Sequence, residues 1–334
     1  MIEYILALPI LASFFVTFFF LPSWIKKAQK AKLVGRDMNK FKETYVAEAG
    51  GINVLAGFVF GVLLYIAIKT FKFGGSDKVI EIFALLSVIL IVSFIGIIDG
   101  ILGWKIGLGR RLRMFLVFFA AIPLMVINTG EPTASFFGFI LDLGIIYPLI
   151  IIPIGIIGAS TTFNFLAGYN GLEARQGILI LLALSIVTWF VGHTWITLIL
   201  ICMISSLCAF LIFNKNTEKV YPGDVLTYSV GALIAVSAIL SSTERFAVFI
   251  FIPYILEVIL KLRGKLKVES FALPKKDGSI DLKTEKIYGL EHLAIKILKK
   301  YKNKVFETDV VWLINAFQFL VIILAFIIFR ESIF

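Results

Sequence analysis

The chain has 334 residues, 60% of them hydrophobic and only 16% charged, with 33 phenylalanines and a formal net charge of +10. A soluble globule averages roughly 45–50% apolar and about 25% charged residues, so this composition excludes a soluble domain and indicates a polytopic membrane protein. In that class a positive balance reports orientation across the bilayer, not nucleic-acid binding. Cys202 and Cys208 share one apolar run, and His193 and His292 stand apart, so no zinc-type spacing is present.

A helix crosses the hydrocarbon core in about 20 apolar residues. On that ruler the sequence predicts an all-α fold with ten spans, near 4–24, 49–68, 80–98, 112–128, 143–162, 176–191, 194–213, 225–243, 246–261 and 310–329. The first is uncharged from Tyr4 to Ile25, has no basic leader and ends in lysines, so it reads as a retained span, not a cleaved signal. The uncharged run from Gln176 to Asn214 is split at Gly192-His193, and Glu257 interrupts the ninth span. An even count puts both termini on one side. Almost all lysines and arginines then fall on segments 25–48, 99–113, 164–177, 214–224 and 262–309, leaving Lys69, Lys72, Lys78, Arg245 and Arg330 opposite. By the positive-inside rule the crowded side is cytoplasmic and the termini lie outside. Residues 1–334 thus read as one transmembrane domain with a cytoplasmic insert at 262–309. Within the insert, "SFALPKKDGSIDL" predicts a β-hairpin around Asp277-Gly278. Leu290, Leu293, Ala294, Ile297, Leu298 and Tyr301 then recur at helical spacing, which predicts an amphipathic helix on the bilayer surface. Gly57 and Gly61 form a small-xxx-small pair suited to helix packing.

Four polar clusters share the cytoplasmic face. In "GRDMNKFKETYVAEAGG", Asp37, Lys40 and Glu48 precede Gly50-Gly51, where backbone can approach a ligand closely. In "IGIIDGILGWKIGLGRRLR", Asp99 directly follows a charge-free span, where a carboxylate is unfavourable unless wetted, paired or metal-bound. Lys105, Arg110, Arg111 and Arg113 follow it, Arg113 reading as a positive-inside anchor. "TTFNFLAGYNGLEARQG" carries Asn164, Asn170, Glu173 and Arg175; "VYPGDVLTYSVG" places Asp224 at a helix start, where an N-cap is the ordinary reading. Carboxylates and a carboxamide oxygen are hard donors suited to Mg²⁺, and the basic residues suit phosphate oxygens. Together they point to phosphoryl transfer on a phosphate ester or diphosphate at the membrane surface, with a lipid as nucleophile or product.

"AEAGG", the Asp99 loop, "NFLAGYNGLEA" and "VYPGD", in this order and on these loops, resemble the polyprenyl-phosphate N-acetylhexosamine-1-phosphate transferases over nearly the whole chain. "NFLAGYNGLEA" is the most specific element and resembles the archaeal and eukaryotic dolichyl-phosphate branch. The resemblance implies transfer of N-acetylglucosamine 1-phosphate from UDP-GlcNAc to a dolichyl or polyprenyl phosphate, giving UMP and the first lipid-linked intermediate of N-glycan assembly. It implies Asn164 and Asp224 as ligands to Mg²⁺, with Mn²⁺ as the alternative, and Asn170 with Gly171 and Leu172 as the uracil site. The implied catalytic residues are Glu48, beside the diphosphate and lipid phosphate, Asp99, as the first Asp of the family's Asp-Asp pair, and Lys105, as the lysine that follows it. Glu173, Asp37, Lys40, Arg263 and Lys265 complete the expected substrate-binding set. The expected partners are UDP-GlcNAc, the lipid phosphate and the bilayer, with a homodimer as the candidate assembly and no nucleic acid. The expected setting is the cell membrane, or the endoplasmic reticulum in a eukaryote.

The sequence departs from the family's pattern in three places. Gly100 stands where a second Asp is usual, Thr161 replaces the outer Asn of Asn-x-x-Asn, and the histidine cluster of the last loop is absent, with Arg263, Lys265 and Lys267 as basic substitutes. The rival readings are a related transferase for another sugar or a cell-surface polymer and, from a different class, a transporter. A transporter would place its polar groups near the midplane in repeated halves.

Overall fold

The computed structural model describes residues 4–75, 77–102, 107–127, 130, 133–136, 139–215 and 219–333. In chain order the helices are α1 (Ala7–Lys30, after one 3-10 turn), α2 (Gly51–Phe73), α3 (Val79–Leu102), α4 (Arg110–Ala120) and α5 (Ile122–Val126). There follow α6 (Ile152–Phe163, extending a π segment at Tyr147–Ile151), α7 (Leu172–Phe190), α8 (Thr194–Asn214), α9 (Gly223–Leu240) and α10 (Glu244–Ile250). The last are α11 (Ile252–Arg263), α12 (Leu290–Leu298), α13 (Glu307–Ile328) and α14 (Arg330–Ile333). Three short antiparallel pairs complete the fold: β1 (Val34–Arg36) with β2 (Tyr45–Ala47), β3 (Thr133–Phe136) with β4 (Phe139–Asp142), and β5 (Leu273–Pro274) with β6 (Ile280–Asp281).

Among the described residues, seven helices are long and apolar enough to cross a membrane: α1 with its preceding turn, α2, α3, α7, α8, α9 and α13. The chain is a mostly helical, polytopic membrane protein. The other three expected spans, 112–128, 143–162 and 246–261, are not single helices but jointed ones. Each joint has a proline in the first turn of the following piece: Pro123 in α5, Pro148 in the π segment, Pro153 in α6 and Pro253 in α11. Proline has no N–H for the helical ladder and its ring crowds the preceding turn, so the rod is interrupted there.

Helix α9 is the centre of the bundle. Every residue from Val225 to Leu240 is buried, and α2, α3, α6, α7, α8 and α10 surround it. The small-xxx-small pair does pack helices: a side chain at Gly57 would meet Ser13 O at 2.6 Å, and one at Gly61 would meet Pro9 O at 2.7 Å, both on α1. Glu257, which interrupts the ninth expected span, faces the protein. Its carboxylate accepts the Leu290 N–H at 2.6 Å and pairs with Lys261 at 3.3 Å.

The insert holds the expected hairpin, turning at Gly278 (φ +81) with Lys275 N–H donating to Ser279 O at 2.8 Å. The expected surface helix is α12, and one of its faces docks on protein. It packs on α11 and α13 and buries Glu291, His292, Ala294 and Ile295, while Ile297 and Tyr301 of the expected apolar face are exposed.

Candidate active site

Two of the quoted motifs are joined backbone to backbone. Tyr221 N–H donates to Ala47 O at 2.7 Å, Gly50 N–H to Tyr221 O at 2.9 Å and Gly51 N–H to Pro222 O at 2.9 Å. Gly50-Gly51 therefore makes room for another strand of this chain, not for a ligand. A Cβ at Gly51 would lie 2.7 Å from both Leu226 N and Pro222 O. Helix α3 makes a similar close approach, since a Cβ at Gly96 would meet Val225 N at 2.8 Å and Asp224 O at 2.9 Å. These approaches bring the first turn of α9 against the ends of both α2 and α3.

At this junction Asp99, Asp224 and Asn164 meet. The Asp224 carboxyl lies close to the Asp99 carboxyl and the Asn164 carboxamide. Asn164 caps the C-terminus of α6, and its Oδ1 accepts the Thr227 hydroxyl at 3.0 Å. Asp99 is buried near the end of α3. It accepts Leu108 N–H at 2.6 Å, pairs with Arg113 at 2.6 Å and receives the Tyr228 hydroxyl at 3.4 Å. The Arg113 guanidinium also lies over the Tyr228 ring, 5.7 Å from its centroid. Arg113 is thus no simple lipid-surface anchor, as its sequence context suggested. It is the cation fixed on Asp99. Lys105 lies outside the described residues.

Asn164 and Asn170 share one loop, and the loop is clamped by its surroundings. Gly168 and Gly171 take left-handed conformations (φ +100 and +73), which give the tight turn before α7. Glu173 Oε1 accepts Gly168 N–H at 2.7 Å, so this buried carboxyl braces the loop from within. Asn39 Nδ2 donates to Gly168 O at 2.9 Å, while its Oδ1 accepts Ala272 N–H from the insert at 3.1 Å. Glu307 accepts Asn170 N–H at 2.8 Å and Lys40 Nζ at 2.5 Å. Leu172, beside Gly171, is buried as the first residue of α7.

The other expected residues are held by local contacts of their own. The Asp37 carboxylate caps its own turn by accepting Asn39 N–H at 3.0 Å. Burial, with Glu307 second, lifts it above the usual carboxylate range against the pull of Lys40. Glu48 is half-buried with its carboxylate over Gly35 of β1, and burial raises its pKa. Arg263 and Lys265 are exposed where α11 ends.

Residues 82–242 match glycosyl transferase family 4. A protein of Saccharolobus solfataricus is 37% identical over 307 residues, spanning 88% of this chain and 90% of its own; its provisional name is UDP-N-acetylglucosamine–dolichyl-phosphate N-acetylglucosaminephosphotransferase. The chain belongs to glycosyl transferase family 4. A similarly named family-4 protein of Sulfolobus acidocaldarius is 31% identical over 95% of this chain and 94% of its own. The phospho-N-acetylmuramoyl-pentapeptide-transferase of Streptococcus agalactiae is 27% identical over 84% and 85%. The chain is accordingly a multi-pass membrane phosphotransferase of the family-4 type.

Four residues of this cluster escape a reading of the sequence: Thr227, Tyr228, Asn39 and Glu307. For Tyr228 a signal was present. It stands four residues after Asp224 on a helix, hence on the same face one turn away. Glu307 and Asn39 reach the loop across sequence separations of 137 and 129 residues, and no local pattern announces such contacts.

Proposed function

We propose that the chain transfers N-acetylglucosamine 1-phosphate from UDP-GlcNAc to a dolichyl or polyprenyl phosphate, releasing UMP and leaving a lipid-linked diphosphate sugar. The observation that carries this reading is the meeting of buried Asp99 with Asp224 and Asn164 beside a clamped Asn-Gly loop. Two carboxylates facing each other repel unless a cation or proton relieves them, and Arg113 supplies only one positive charge. Their hard oxygens fit Mg²⁺, with Mn²⁺ as the alternative, held by Asp224 and Asn164. The Thr227 hydroxyl on Asn164 Oδ1 orients that carbonyl and leaves its second lone pair for a ligand. When bound, the ion would supply charge neutralisation at the diphosphate oxygens.

The protein's own part is positioning. The lipid phosphate oxygen attacks the sugar-bearing phosphorus, the bond from that phosphorus to the bridging oxygen breaks, and UMP leaves with the electron pair. A phosphate monoester near neutral pH already carries much of its second charge, so the attacking oxygen needs orientation more than deprotonation. Asp99, held by Leu108 N–H, Arg113 and Tyr228, suits an orienting role. In this reading the 164–173 loop presents Asn170 to the uracil, and the positive-inside charge distribution supports a cytoplasmic site.

The test is an assay of membranes holding this chain with radiolabelled UDP-GlcNAc and dolichyl phosphate. Lipid-linked product that depends on added Mg²⁺ is expected, and Asp224→Asn or Asn164→Ala should abolish it while leaving membrane insertion intact. Full activity in either variant removes the metal assignment. Product formed only from another UDP-sugar moves the substrate.

A further inference from the structure

We infer that Glu307 is a positioning residue for nucleotide recognition, clamping the loop that presents Asn170 and holding Lys40 at the nucleoside end of the substrate. This rests on the uridine-nucleotide reading above and deepens it.

Glu307 is the first residue of α13, yet it does not serve its own helix. Asp309 takes the capping role by accepting Phe306 N–H at 2.9 Å. Glu307 therefore points away, nearly buried at 6% exposure, with a partner on each carboxylate oxygen. Oε1 accepts the Asn170 main-chain N–H and Oε2 accepts Lys40 Nζ. The main chain of the loop is held on its other sides as well. Gly168 N–H goes to Glu173, Gly168 O takes Asn39, and Asn170 O takes Arg175 at 3.3 Å. A charged acceptor on a main-chain N–H is among the stronger protein hydrogen bonds.

The geometry also separates two cations. Arg113 is fixed on Asp99, at the phosphate end of the site, whereas Lys40 is tethered through Glu307 to the residue expected to meet the base. Weakening this tether should affect ligands carrying uridine, whether or not they carry the sugar. It should not affect the lipid acceptor.

The experiment compares wild type, Glu307→Gln and Glu307→Ala as purified full-length protein in detergent. It measures KM for UDP-GlcNAc, KM for dolichyl phosphate, kcat, the inhibition constant of UMP, and the melting temperature. The glutamine variant keeps an acceptor for Asn170 N–H and loses the charge facing Lys40; the alanine variant loses both. The nucleotide KM and the UMP constant should rise together, about tenfold in Glu307→Ala and about threefold in Glu307→Gln, with kcat and lipid KM within about twofold. Lys40→Met should add nothing further in the Glu307→Ala background. Nucleotide constants unchanged in both variants would overturn the inference, as would a fall in kcat with both KM values unmoved. A wild type that neither binds UMP nor makes product would refute the functional reading itself. An active wild type whose Glu307 variants are indifferent would refute only the positioning role.

Discussion

Both oxygens of Asp99 are taken by donors of the protein itself: Leu108 N–H on one, Arg113 and Tyr228 on the other. A carboxylate so engaged holds its neighbours in place, and the same contacts explain why Gly107 carries no side chain, since a Cβ there would run into Asp99 Oδ1. Arg113→Met should leave Asp99 buried without its cation and lower the transfer rate by about 10- to 100-fold, the loss of one charged hydrogen bond in a buried site. Steady-state kinetics on membranes equalised for protein would show it. Gly100 behaves differently. A Cβ built there meets nothing within 4 Å, so Gly100→Asp should insert without strain and keep activity within about twofold. Complete loss of transfer in that variant would mean the site is organised around glycine. Asp99 stood out in the sequence because a carboxylate at a span end needs a reason to be there, whereas Asn164 and Asp224 were tied to it through the family resemblance. Arg113 was not, because a cation beside a span already has a sufficient explanation in membrane topology. Tyr228 was hidden by its aromatic ring, which reads as core until the hydroxyl is seen to reach a carboxylate.

At the scale of elements, the stitch between residues 47–51 and 220–222 sets the site, and it depends on how closely two backbones approach. Gly51→Ala would place a methyl 2.7 Å from Leu226 N and Pro222 O, atoms that cannot rotate away. It should destabilise the protein by about 1–3 kcal/mol and depress transfer, read as a lowered melting midpoint together with lost activity. Helix α12 offers a second test. Glu291 is fully buried and, among the described residues, has no hydrogen-bond partner on either oxygen; burial, then Glu257, push its carboxyl well above the usual range, opposed by Lys261. The native state keeps a proton that the unfolded chain releases above about pH 4.3. The stabilising contribution is therefore full below that pH and is lost as pH climbs toward the folded value. Glu291→Gln should flatten the decline of melting temperature between about pH 5 and 8; an unchanged slope would show that Glu291 is already ionised. The spans themselves were largely legible from hydropathy. The joints were legible in principle too, since Pro123, Pro148, Pro153 and Pro253 lie inside the apolar runs, but a count of apolar residues passes over them.

At the scale of the whole molecule, the positive charges gather on the segments that carry the site, and this asymmetry makes orientation testable. In a background lacking Cys202 and Cys208, a cysteine at Lys286 should react with an impermeant thiol reagent only after the membrane is opened. A cysteine at Lys72 should react in intact cells, and the reverse pattern would invert the topology. The fold class was readable from composition alone, whereas the assembly of the site was not. Its groups come from α3, α4, α6, α9 and α13 and from two loops between spans, and only packing brings them together. Helix α9 shows what that arrangement demands of biogenesis. It is buried from Val225 to Leu240 and carries Asp224 in its first turn. Of the helices around it, α2, α3, α6, α7 and α8 all precede it in the chain, and only α10 follows. Since chains are made from the N-terminus, the ribosome delivers the walls of this cradle before the helix that fills it, and Asp224 is among the last pieces of the central bundle to be synthesised.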